Sequence, residues 1–151
     1  MYFGYSIQRW SVTLPNHKKL TNSVTLNKSH KDRIPIWIAL SDFYLDTELQ
    51  DQDFRHIASI IKKSPYSLAE IKHINREEVF PILYSNLLYV AGSWSGFQEE
   101  WLVGKIQKRI QNRTSLSRIS DSIKYWCFRG MNKEYWTKLE EKMKEVENGL
   151  D

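Results

Sequence analysis

Apolar positions fall into helical rows along most of the chain, but not at its start. The stretch YSIQRWSVTLPNHKKLTNSVTLNKSHKDR is rich in Ser, Thr, Asn and Lys. Within it, SIQRWSVTL and NSVTL have strand character, and Pro15-Asn16 marks a turn between them. Residues 1–33 therefore read as a basic N-terminal arm or hairpin, and residues 34–151 as a helical domain.

From Ile34 the period changes. Pro35 suits the first position of a helix, and Trp37, Leu40, Tyr44 and Leu45 recur at spacings of three and four on one face. Asp51 is placed to cap a second helix, in which Phe54, Ile57, Ala58 and Ile61 fall at i, i+3, i+4 and i+7. Ser64-Pro65 ends it. Three capping-box words follow: SLAE (Ser67 to Glu70), NREE (Asn75 to Glu78) and SGFQ (Ser95 to Gln98). The second opens a helix with Val79, Phe80, Ile82 and Leu83, bent at Pro81. The third opens one with Phe97, Trp101, Ile106 and Ile110 on its core side. Ser115 or Ser117 caps a further helix carrying Ile119, Ile123, Trp126 and Cys127 on its apolar side. Gly130 separates it from a last helix, capped by Asn132, with a stripe of Trp136, Leu139, Met143 and Val146. The expected fold is mainly all-α: six or seven short helices in one compact bundle-like domain, with a short N-terminal hairpin or arm.

Composition supports one folded domain. The chain has 151 residues, 41% hydrophobic and 13% aromatic, enough to bury a core without disulfides or metals. Cys127 is the only cysteine, which excludes an internal disulfide and a thiolate metal cage. No apolar run approaches the roughly 18 residues that span a bilayer, and the opening MYFGYSIQRW is not a signal peptide. A soluble, cytoplasmic protein is expected.

The net charge is +4, unevenly spread. Residues 1–34 hold six basic side chains against Asp32 alone. Residues 35–56 hold Asp42, Asp46, Glu48, Asp51 and Asp53 against Arg55 alone. That acid run is not a calcium loop, because no register supplies both the glycine at position six and the glutamate at position twelve. Paired catalytic carboxylates would need opposed environments that a sequence does not display. Helix-end chemistry accounts for Asp51 and Asp53 and leaves Asp46 and Glu48 unexplained.

Other candidate chemistry is thin. His17, His30, His56 and His73 form no HExxH or other ligand pair. Cys127 has no adjoining histidine and reads as a buried thiol. GxGxxG, Walker and GxSxG motifs are missing from the sequence. Lys105, Lys108, Arg109 and Arg113 make a basic helical strip, which reads as a solvated face before a nucleic-acid strip, because stacking aromatics do not share its face. GSWSGFQEEWL places Trp94 in a glycine-flanked loop beside Glu99 and Glu100. It reads as a core corner, or as a partner-binding loop in which an aromatic beside acids makes a hot spot.

Two stretches, RIPIWIALSDFYLDTEL and EVFPILYSNLLYVAGSWSGFQEEWL, resemble a family of small, uncharacterised, single-domain bacterial proteins with the pattern PxWxALSDxFLDTEL and EVFPxLxxNLLxVAGxWxGFxEEWL. The resemblance covers Arg33 to Arg109 and brings no catalytic assignment. By size, helical class and lack of enzyme motifs, the family is similar to immunity proteins of contact-dependent growth inhibition systems. Such proteins bind a cognate toxin domain, often a nuclease acting on transfer RNA.

The expectation is thus a non-enzymatic toxin inhibitor with no cofactor or metal. Its contact residues are Asp42, Asp46, Glu48, Asp51, Asp53, Glu99, Glu100 and Trp94. The partner is a toxin domain, with no membrane and no direct nucleic-acid contact. The alternative is a nucleic-acid-binding or regulatory small helical protein, resting on the basic N-terminal segment and the Lys105–Arg113 strip.

Overall fold

A computed structural model describes residues 30–88 and 96–149. The N-terminal segment before His30, and with it the expected hairpin or arm, lies outside the described residues. The described chain is all-α. Helix α1 spans His30–Ser41 and runs into a 3-10 turn at Asp42–Tyr44. Helix α2 spans Asp51–Lys63 and α3 spans Leu68–Ile74. A π-helical segment, Asn75–Val79, joins α3 to α4, Phe80–Leu83, and a 3-10 turn follows at Tyr84–Leu88. Then come α5 (Glu99–Gln111), α6 (Ser115–Cys127) and α7 (Arg129–Glu147). None of these helices is long and apolar enough to cross a membrane.

Helix α1 is the central element and packs on α2, α5 and the π segment. Ile36, Trp37, Ala39 and Leu40 are buried in the core. The helix already includes His30, one turn before the expected Ile34, so Pro35 sits inside it. There, a residue without an N–H removes a single backbone bond, which the buried apolar surface offsets.

Helix α2 behaves as its periodicity predicts. Phe54, Ile57, Ala58 and Ile61 are all at most 2% exposed. Its cap is Gln50, not Asp51, and the Gln50 N–H donates to the Asp53 carboxylate at 2.8 Å. Helix α7 lies along α2 and adds Trp136 and Leu139 to the core. Phe43 joins the two helices, with its ring centroid 6.3 Å from Phe54, 5.3 Å from Tyr135 and 5.4 Å from Trp136. Edge-on aromatic contacts of this kind add to the burial itself. Lys142 to Asp51 (2.7 Å), Lys62 to Glu147 (2.9 Å) and Lys72 to Glu140 (2.6 Å) rim the α7 seam.

The SLAE box forms as expected. The Ser67 N–H donates to Glu70 at 2.8 Å, and the Glu70 N–H donates back to Ser67 Oγ at 3.4 Å. NREE does not cap a helix. Asn75 has helical φ −55 and ψ −54, whereas a cap residue is extended. The chain runs straight through as a π turn. Pro81 has no N–H for the carbonyl four residues back, and the wider turn just upstream absorbs the irregularity, with the Phe80 N–H reaching the Asn75 carbonyl.

This turn carries a polar spine into the interior. Asn75, Glu77 and Glu78 are all buried. Tyr44 Oη donates to Asn75 Oδ1 at 2.9 Å, and Trp37 Nε1 donates to Glu78 Oε2 at 2.7 Å. Arg33 pairs with the other Glu78 oxygen, and Arg113 and Arg76 pair with Glu77. Burial alone would raise the Glu77 carboxyl, but the bonds from Arg113 and Arg76 outweigh it and hold it below the ordinary range.

Three further expectations are corrected. In α5 the buried row is Leu102 and Ile106, while Trp101 is 43% exposed and stacks on Phe97. One residue is about 100° around a helix, so moving the row by one turns the indole outward. Gly130 lies in the first turn of α7, so α7 begins at Arg129 rather than after an Asn132 cap. Cys127 is exposed rather than buried, because α6 faces the opposite way from the expected one.

Candidate protein-binding surfaces

The acid run is split by the fold into committed and uncommitted carboxylates. Asp42 ends up half-buried at the 3-10 turn. Its carboxyl is pushed up to about 6 by burial, with repulsion from Asp53 adding and His56 partly offsetting. Asp53 holds the start of α2 through the Gln50 N–H. Asp51 is exposed but tied to Lys142, whose hydrogen bond keeps its carboxyl below the usual range. Asp46 and Glu48 remain. Both are exposed, and neither makes an ion pair among the described residues. Their connection is held at both ends by buried side chains, Phe43 and Tyr44 before it and Leu49 after it. The Tyr44 carbonyl also accepts from Asn86 Nδ2 at 2.7 Å.

Glu99 and Glu100 sit exposed on the first turn of α5, where the helix dipole favours acids. Among the described residues, no ion pair or hydrogen bond joins them to the acids of the α1–α2 connection. Trp94 and the Ser95 end of the SGFQ word lie outside the described residues. No three His, Cys, Asp or Glu side chains among the described residues come together as a metal site.

The basic strip is partly spent inside the molecule. Arg109 pairs with buried Asp121 and Arg113 with buried Glu77. Lys105 and Lys108 remain exposed and make no ion pair among the described residues. Together with Asn112 and Ser117, the four cations line a shallow pocket of about 270 Å³ at the start of α6.

Sequence reasoning missed an exposed apolar face. Helix α6 is capped by Thr114, whose Oγ1 accepts from the Ser117 N–H at 3.2 Å while Ser117 Oγ accepts from the Thr114 N–H at 3.2 Å. It docks through what looked like its polar side. Asp121 meets Arg109, Tyr125 lies 5.1 Å from Phe80, and Lys124 Nζ lies 4.7 Å from the Tyr84 ring centre. The apolar row is left facing outward: Leu116 is 79% exposed, Ile119 60%, Ile123 61% and Trp126 65%. Arg118, Ile119, Ser122, Ile123 and Trp126 line an open groove of about 420 Å³ along it. Contiguous apolar surface of this kind marks an interaction site far more often than scattered apolar residues do. The signal was present as the i, i+3, i+7 spacing, which reveals a stripe but not which way it faces.

A family model described as a domain of unknown function (DUF7079) matches residues 31–142. The matched range runs from α1 into α7 and contains both sequence stretches noted above. No curated protein and no solved structure gives a significant match. The chain belongs to the DUF7079 family.

Proposed function

We propose that this chain is a non-enzymatic binding protein, most concretely an immunity protein that neutralises a cognate bacterial toxin domain, a nuclease acting on transfer RNA. One observation carries the reading. Asp46 and Glu48 stand exposed, with no ion pair among the described residues, on a connection pinned by the buried Phe43, Tyr44 and Leu49, in a molecule whose other carboxylates are widely used in internal pairs. A nuclease that binds RNA presents a cationic cleft, and fixed carboxylates would steer association with it and pair with its Lys and Arg side chains. Glu99 and Glu100 would extend the contact. Asp42, Asp51 and Asp53 would contribute field rather than direct bonds, because Asp51 and Asp53 are bonded within the fold and Asp42 is half-buried. Direct nucleic-acid binding is the weaker reading, since Arg109 and Arg113 are already neutralised by Asp121 and Glu77.

The test is association of the purified chain with candidate nuclease toxin domains, followed by stopped-flow kinetics on a domain that binds. The expected on-rate falls steeply with added salt, and Asp46→Lys with Glu48→Lys slows it by about tenfold or more at low salt. An on-rate indifferent to both salt and charge reversal would overturn the acidic contact. Association with labelled RNA in place of the toxin domain would overturn the class of function.

A further inference from the structure

The outward row of α6 needs an occupant, and its surroundings state the chemistry of that occupant. We infer that α6 and the basic pocket at its start form one docking surface for an acidic amphipathic helix of a protein partner.

The apolar half of the surface is Leu116, Ile119, Ile123 and Trp126, eleven residues from end to end and ten steps along the helix. At 1.5 Å per residue the row is about 15 Å long, which matches about three turns of a partner helix presenting residues at i, i+3, i+4 and i+7. The groove along the row gives such side chains a place to seat.

The charged half decides between occupants. The groove is bordered by Arg118, and the Arg129 guanidinium sits 5.7 Å from the Trp126 ring centre. Ser117, the neighbour of Arg118 in sequence, belongs to the pocket that holds Lys105 and Lys108. The cationic pocket thus reaches the first turn of α6, one residue along the chain from the groove-lining Arg118. The one acid on α6, Asp121, is buried against Arg109 and contributes no negative charge to the surface. Among the described residues, the charged side chains that line the groove or contact Trp126, Arg118 and Arg129, are both cations. A second copy of this chain is disfavoured, because a two-fold interface sets each patch against itself and would bring the cationic rims together. A partner with glutamates or aspartates flanking its apolar stripe satisfies both halves at once. The surface shares no residue with the Asp46–Glu48 connection, so its test is separate from that of toxin neutralisation.

The only cysteine provides the probe. Cys127 is exposed and adjoins Trp126 at one end of the row, so a polarity-sensitive dye on its thiol reports occupancy of the intact chain. Three synthetic peptides of equal length are titrated. The first carries leucines at i, i+3, i+4 and i+7 with glutamates elsewhere, the second has the same composition scrambled off one face, and the third has lysine in place of glutamate. The acidic amphipathic peptide is expected to give a saturable blue shift, with at least ~10-fold weaker binding for each control. Ile119→Ser with Ile123→Ser should remove the response while the circular dichroism spectrum stays unchanged. Lys105→Ala with Arg118→Ala should weaken binding and flatten its salt dependence. An equal response to all three peptides overturns the inference. So does a doubling of mass in light scattering that Ile119→Ser with Ile123→Ser abolishes, which would make the face a self-interface. A dye response to an RNA oligonucleotide with none to the acidic peptide overturns it as well.

Discussion

Helices α2 and α6 are both thirteen residues long, both amphipathic and both opened by a capping interaction. Yet α2 buries its apolar row to 2% exposure or less, and α6 leaves its own row 60% or more exposed. The difference lies in what each helix meets. Helix α2 is enclosed by α1, by Phe43 of the 3-10 turn that follows α1, and by α7, which supplies Trp136 and Leu139. Helix α6 is fastened from its other side, by the Arg109–Asp121 pair and by Tyr125 and Phe128 against Phe80. An amphipathic period states that a helix needs an apolar partner. It does not state that the partner is in the same chain.

The largest effect should come from truncating matched residues in the two rows. Ile57→Ala removes buried atoms and leaves a cavity, at an expected cost of about 2–5 kcal/mol in urea unfolding. Ile123→Ala removes the same atoms from solvent-facing surface and should stay within about 0.5 kcal/mol. Equal losses would break the comparison.

Next is the fastening of α6 itself. Asp121→Ala leaves Arg109 without its buried counter-charge, an expected loss of about 3 kcal/mol. Hydrogen exchange should localise it, with α6 amides losing protection while α2 amides keep theirs. A uniform loss across both helices would mean that α6 is integral to the core.

Smaller again is the pH response on the α2 side. Asp42 titrates near 6 in the folded chain because of burial, with Asp53 adding to the shift, and near ~3.9 when unfolded. The folded state holds the extra proton between those values. Stability from this group is therefore fully present below about 4 and is lost as pH rises through about 6. Asp42→Asn should recover about 1–2 kcal/mol at pH 7 and little at pH 4, read as the difference between variant and parent unfolding midpoints. A gain of equal size at both pH values would remove the titration account.

The smallest change is expected at the exposed seam of α2 and α7. Asp51→Asn removes the Lys142 partner, and solvent screening should leave the urea midpoint close to that of the parent. A marked loss there would mean that the seam, not the core beneath it, holds α7 on α2.

These contrasts also show what was legible beforehand. The all-α class, the α2 row, the Ser67–Glu70 box and the Trp136–Leu139 stripe followed from spacing, because each depends on residues a few positions apart. The π turn did not, because NREE has the letters of a capping box but Asn75 continues the preceding helix. Its buried carboxylates find Arg33 and Arg113 only through the tertiary fold, so no local pattern announces them. The same limit applies to the acid run, where the bond from Lys142 separates Asp51 from Asp46 and Glu48.

The central claim is that the α6 row faces solvent as a recognition surface rather than serving as core. The most direct measurement is urea unfolding of the Ile119→Asp, Ile123→Asp double variant beside the parent. The account predicts an unfolding midpoint close to the parent's and an unchanged slope, because two carboxylates replace side chains already in water. A collapse in stability comparable to that of Ile57→Ala would place the row inside the protein and contradict it.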